Sequence, residues 1–278
     1  MSNQTPLTKP LRDIVAWTAH FRNAEIPVLA ATAEALEALR ANEDNVDANG
    51  IGEMIAGDPL MTLKVLAYAS THRPSRVVTD AETVTAALVM MGITPFFRDF
   101  GPQPTVEQRL AELPAALDGL QAVLRRAHRG ANFALGFAVH RMDHDAAVIH
   151  DAALLHDFAE MLLWCHAPAL ALRILAAQRA DATLRSSTIQ QQVLNIELPD
   201  LQQALMRTWR LPELLIRISD QRHADQARVR NVALAVRLAR HTAKGWDNAA
   251  LPDDIADVAA LLNLSPDAAL HLVRGIED

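Results

Sequence analysis

An all-α fold follows from three observations. Half of the 278 residues are apolar but only 4% are aromatic, and with Ala and Leu abundant this balance favours helices over the β-branched and aromatic surfaces that strands prefer. Strict apolar/polar alternation is scarce, whereas apolar residues at helical spacing recur from one end of the chain to the other. Helix start and stop signals punctuate those runs.

Taken in order, Leu29, Ala33, Leu36 and Leu39 form a first helical stripe. Asp58 is an acidic N-cap with Pro59 at the first helical position, and Leu60, Leu63, Leu66 and Ala67 then share one face. Asp80 is positioned to cap the run AETVTAALVMM, which Gly92 ends where a left-handed residue is wanted. These elements make a first helical lobe. Residues 95–105, PFFRDFGPQPT, carry three prolines and a glycine, so a hinge or linker without regular helix is expected there. Beyond it, a long helix is predicted from Leu113 to about Met142, with breaks allowed at Gly130 or Gly136, and a nearly apolar one from Ala146 to Trp164. Shorter helices are expected at about 168–180, 187–196, 200–209, 212–222 and 225–243, with connections of the length usual in α-bundles. A terminal pair at 252–263 and 266–275 is separated by Ser265 as cap and Pro266 as first helical residue. The expected division is residues 1–104, 105–244 and 245–278.

Composition narrows the function classes. Acidic residues outnumber basic ones 33 to 26, a formal charge of −7, so the chain as a whole offers no general attraction to nucleic-acid phosphates. The lone cysteine, Cys165, excludes an internal disulfide. With no signal-like N-terminus and no run of about 18 apolar residues, a cytoplasmic location without membrane insertion is expected.

The sharpest chemical feature is Leu154-Leu155-His156-Asp157-Phe158, a His-Asp pair inside an apolar predicted helix. Burying an imidazole beside a carboxylate costs several kcal/mol unless they are paired, hydrogen-bonded or metal-bound. His128, on the preceding long helix, would reach the pair if the two helices pack antiparallel, and two imidazoles with one carboxylate make a first shell for a divalent ion. Packing alone accounts for the same residues as helix positions bonded to backbone or to each other, with His128 at the surface. Weaker metal candidates are His140 and His144, four apart, with Asp143 and Asp145. Cys165 beside His166 lacks any orienting third group. Arg125, Arg126 and Arg129 make a basic cluster suited to a phosphate or acidic partner, or to a solvated helix face.

The order of a helical His, a Leu-Leu-His-Asp element and a later helix resembles the HD superfamily of metal-dependent phosphohydrolases. The segment Ile55 to Leu66, with Asp58-Pro59 and Lys64, is similar to the "I-x-x-DP-x-L-x-x-K/R-x-L" element of its HDOD branch. Ala87 to Gly92 resembles the "A-x-x-x-x-G" segment that follows there, and Trp209-Arg210-Leu211-Pro212 the "W-x-L-P" element. Ser70 stands where HDOD sequences commonly carry Asn-Ser. Together the matches cover about residues 25–240. The resemblance implies an all-helical HD-like bundle with an N-terminal lobe, acting as a non-catalytic signalling module through a protein partner.

It also implies that the metal shell of His128, His156 and Asp157 is vestigial. The last Asp ligand of the HD pattern aligns with Arg240, and a guanidinium about 4 Å from a divalent ion is repelled by roughly 8 kcal/mol at an effective dielectric near 20. The catalytic Lys of related cyclic-dinucleotide phosphodiesterases aligns with Glu160. No cofactor is therefore expected, the alternative being a divalent metal serving a phosphohydrolase on a nucleotide or phosphorylated small molecule. Nucleic-acid binding through the terminal helices, Ala249 to Ile276, is disfavoured by Asp253, Asp254, Asp257 and Asp267.

Overall fold

The computed structural model describes residues 5–72, 81–181 and 183–277, and among them every named element is a helix. The first seven are α1 (Ile14–Arg22), α2 (Ala30–Arg40), α3 (Ala48–Ala56), α4 (Pro59–Thr71), α5 (Val84–Met91), α6 (Ile93–Asp99) and α7 (Val106–Arg109). Then come α8 (Pro114–His140), α9 (Ala146–Leu154), α10 (Phe158–His166), α11 (Pro168–Ala180), α12 (Ser186–Leu194) and α13 (Leu198–Thr208). The last four are α14 (Glu213–Ile218), α15 (Ala227–His241), α16 (Leu251–Leu262) and α17 (Pro266–Glu277). No single helix among the described residues is long and apolar enough to cross a membrane.

Two compact units result. One comprises residues 1–123 and 157–211, the other 124–156 and 212–278. Neither boundary is marked by composition, because what divides the units is which helices pack together. In the first unit α1 packs on α13, α3 on α5, α10 on α4, α11 and α13. Its core is built on Trp17, Phe21, Leu36, Ile51, Leu63 and Phe158, all at most 1% exposed. In the second unit α9 lies against α14 and α15, α15 against α16, and α16 against α17. Asn231, fully buried, donates to the Ala134 carbonyl of α8 at 3.2 Å.

Local signals explain most helix limits. The Asp58 side chain accepts from the amides of Leu60 at 2.9 Å and Met61 at 3.1 Å, and Pro59 fills the first position of α4, where no amide bond is lost. Asp80 lies outside the described residues; α5 is capped by Thr83, whose hydroxyl accepts from the Ala86 amide. Gly92 takes φ +81° between α5 and α6, a backbone that L side chains rarely adopt. Asn195 and Asn263 end α12 and α16 in the left-handed conformation.

Three segments differ from expectation. The 95–105 stretch is not an open hinge: α6 begins at Ile93 and includes Pro95 within its first turn, where a missing amide donor costs nothing. Phe96 stacks on Phe100 and meets Phe97 edge-on, all three buried. The stretch is then tied to the chain ahead of α2, because Val28 donates to Pro104 and its carbonyl accepts from Val106, both at 2.9 Å. The long helix α8 runs through Gly130 and Gly136 without a break; Gly130 lets it approach α15 at Val236 and Ala239. The predicted helix from Ala146 to Trp164 is broken at 155–157 into α9 and α10. Its last turn tightens, with His156 donating to the Ala153 carbonyl, and Asp157 restarts the winding by accepting from Glu160 and Met161.

Candidate functional site

The break at 155–157 changes the first candidate. His128, on α8, and His156, in the turn after α9, are half-buried residues of the second unit, whereas Asp157 heads α10 in the first and is also half-buried. A turn does not aim successive side chains as a helix does. His156 is therefore not the core residue that a continuous apolar helix implies. Among the described residues no group of three or more His, Cys, Asp or Glu side chains is placed to hold a metal ion. Arg240 lies exposed on α15, and Glu160 half-buried on α10.

The remaining candidates resolve by their partners. Asp145 and Asp143 are taken up by Arg228, at 2.5 and 3.7 Å, with Arg141 also 3.3 Å from Asp143, while His140 and His144 stay exposed. Arg129 donates to the Thr242 carbonyl at 2.7 Å and lies over the Phe133 ring, so only Arg125 of the basic cluster is fully exposed. Asp254 is buried against Arg237 and His241, and Asp257 pairs with Arg237. Cys165 is wholly enclosed, and burial pushes its thiol up to about 12, which removes it as a thiolate nucleophile. Ser70 is half-buried on α4.

His166, beside that thiol, has a structural role. Arg109 can only donate, so the 3.1 Å contact from its Nη2 makes His166 Nδ1 an acceptor and leaves Nε2–H to donate to the Glu25 carbonyl at 2.9 Å. Burial first, and the Arg109 charge second, lower this imidazole to about 3. A neutral His166 thus fixes the loop that leaves α1. Lys64 fixes the same loop from α4: its ammonium donates to Glu25 Oε1 at 2.8 Å, to the Ile26 carbonyl at 3.0 Å and to Gln103 Oε1 at 2.6 Å. All three of its protons are used. The Lys of the "DP-x-L-x-x-K" element is a clamp.

Around this clamp, the end of α1, the outer face of α4 and the end of α13 enclose an open cleft of 710 Å³ within the first unit. Trp209 forms its floor; the ring packs on Phe158 at 5.9 Å, and its indole N–H reaches the Arg22 carbonyl at 3.2 Å. Tyr68 lines the wall, with its hydroxyl donating to Asp99 at 2.6 Å and its ring stacked on His72. After Trp209 the chain closes α13 with a Schellman turn, Leu211 donating back to the Met206 carbonyl at 2.9 Å. The turn puts Arg210 at φ +53°, where Gly or Asn is usual and another residue costs roughly 1–2 kcal/mol. Arg210 and Arg22 both line the cleft, both are exposed, and neither guanidinium has a hydrogen-bonding or ionic partner among the described residues. Three segments far apart in the chain build this cleft, so no run of residues announced it.

No curated protein matches the chain. Among solved structures, it is similar to the MmoQ response regulator of Methylococcus capsulatus, with 18% identity and TM-score 0.68 over 90% of this chain and 98% of that one. It is also similar to a virulence factor of Campylobacter jejuni, with 16% identity and TM-score 0.61 over 95% and 98%. Likeness at these identities establishes the shared all-helical fold. The HDOD domain pattern matches residues 26–225, which takes in the Asp58-Pro59 cap, the Lys64 clamp and the Trp209 floor alike, and the chain belongs to the HDOD domain family.

Proposed function

We propose that the protein is a non-catalytic signal-transduction module that acts in the cytoplasm by contact with a protein partner. Family membership supports the reading, as does the name of the similar MmoQ protein, a response regulator. The observation that supports it is chemical: among the described residues no group of three or more His, Cys, Asp or Glu side chains is placed to hold a metal ion. An arginine stands where the last acidic ligand aligns.

The test is phosphate release from cyclic and linear nucleotides with Mn²⁺, Mg²⁺ or Fe²⁺ added, together with elemental analysis of protein purified without added metal. No metal-dependent turnover and no stoichiometric metal are expected. Turnover abolished by replacing His156 and Asp157 with Ala in an equally stable variant would install the phosphohydrolase instead.

A further inference from the structure

We infer that the cleft of the first unit binds a small phosphomonoester, whose phosphoryl group sits between Arg22 and Arg210. The inference stands on the cleft itself and holds whether the module signals by protein contact or not.

Charge is the first ground. Lys64 and Glu25 cancel each other at 2.8 Å, and Asp99, bonded to the Tyr68 hydroxyl, is neutralised by Arg98 at 2.8 Å. Among the described residues, what remains at the cleft is two guanidinium groups, a local excess of two positive charges on a chain of net charge −7. Two planar forks, each able to make paired N–H bonds, match the charge and the oxygens of a phosphate dianion. Geometry is the second. The indole of Trp209 joins the backbone of residue 22 to the segment that carries residue 210, so both arginines start from strands of chain in contact. The cleft at 710 Å³ is in the range that takes a small molecule, not the flat face that takes a folded protein. Strain is the third. Arg210 occupies a position where glycine would be easier, and backbone kept in an unfavourable region points to use of the side chain. Both residues stand at helix C-termini, where a cation also offsets the dipole, but in that role the guanidinium would bond the last carbonyls and neither does.

The experiment is isothermal titration of the full chain with inorganic phosphate, glucose 6-phosphate and AMP, and with glucose, adenosine and an Asp/Glu-rich peptide as counterparts. At least one of the two phosphomonoesters binds one to one, more tightly than inorganic phosphate, and weakens as salt is raised; glucose and adenosine do not bind. Arg22→Gln and Arg210→Gly each reduce that affinity at least tenfold. Arg210→Gly melts at or above the wild-type temperature, since it relieves the left-handed backbone, so its loss of binding is not a loss of fold. Absence of binding by both phosphomonoesters overturns the inference, as does binding that survives both substitutions or a preference for the acidic peptide.

Discussion

Replacing Asp58 tests how the first unit is held together. Its carboxylate is fully buried and accepts from the amides of Leu60 and Met61 through one oxygen and from Leu29, 29 residues earlier, through the other at 2.8 Å. It caps α4 and anchors the start of α2 in one group. Asp58→Asn keeps the shape and one acceptor oxygen but turns an NH₂ toward one of those amides, leaving donor against donor. Loss of an N-cap costs about 1 kcal/mol, and a buried amide left unpaired a further 1–3. Burial also raises the Asp58 carboxyl above its ordinary range, and relief of that desolvation offsets part of the loss. The expected net destabilisation is about 2–3 kcal/mol for Asn and no less for Ala. Urea denaturation at pH 7, followed by far-UV circular dichroism, measures it through the midpoint at constant m-value. Asp58→Asn within about 0.5 kcal/mol of wild type would refute the reasoning, since it would mean that the second oxygen does nothing.

Three further outcomes are expected. A Cβ at Gly119 would lie 2.4 Å from the ring of buried Trp164, so Gly119→Ala loses about 1–2 kcal/mol after its gain in helix propensity; the loss shrinks in a Trp164→Phe background. His166 is lowered in the folded state, so the native chain binds fewer protons than the unfolded one between the two values. Its contribution is complete above about pH 6.5 and falls away toward pH 3, by up to ~1.4 kcal/mol per pH unit; His166→Gln flattens the melting temperature against pH over that window. His20 is lowered in the same direction, whereas Asp58 opposes both at the acid end. Replacing His156 and Asp157 together with Ala costs about 1–2 kcal/mol, less than a fully buried pair would, because both are half-buried in a turn; a shift above 4 kcal/mol in thermal melting would mean that the pair is a core element.

What could be read from the sequence was local. The Asp58-Pro59 start, the positive φ of Gly92 and the terminal pair behind Pro266 depend on a few adjacent residues, and all three stand as read. The 95–105 reading failed because a proline counts against a helix only beyond its first turn, and composition does not say where that turn begins. The stop at Leu155 has no glycine or proline to announce it. Lys64 was legible only as part of a family element, because the partners that define its role, Glu25, Ile26 and Gln103, come from other segments. The same holds for the HD-like residues: an order of motifs identifies the family, but the direction of a side chain is set by one turn of backbone.

The interleaving of the two units has a consequence for synthesis. A chain made from its N-terminus holds every residue of the first unit once Leu211 has emerged, while α9 of the second must wait for α14 and α15. Until then Val148, Ile149 and Ala152, all at most 4% exposed in the finished fold, have none of those surfaces to bury against. During that interval the nascent protein presents an apolar segment of the kind that chaperones hold and that aggregates capture. Slow translation across 212–241 would lengthen the exposure, and abundance in the cell would then depend on the pace of the ribosome as well as on the stability of the folded state.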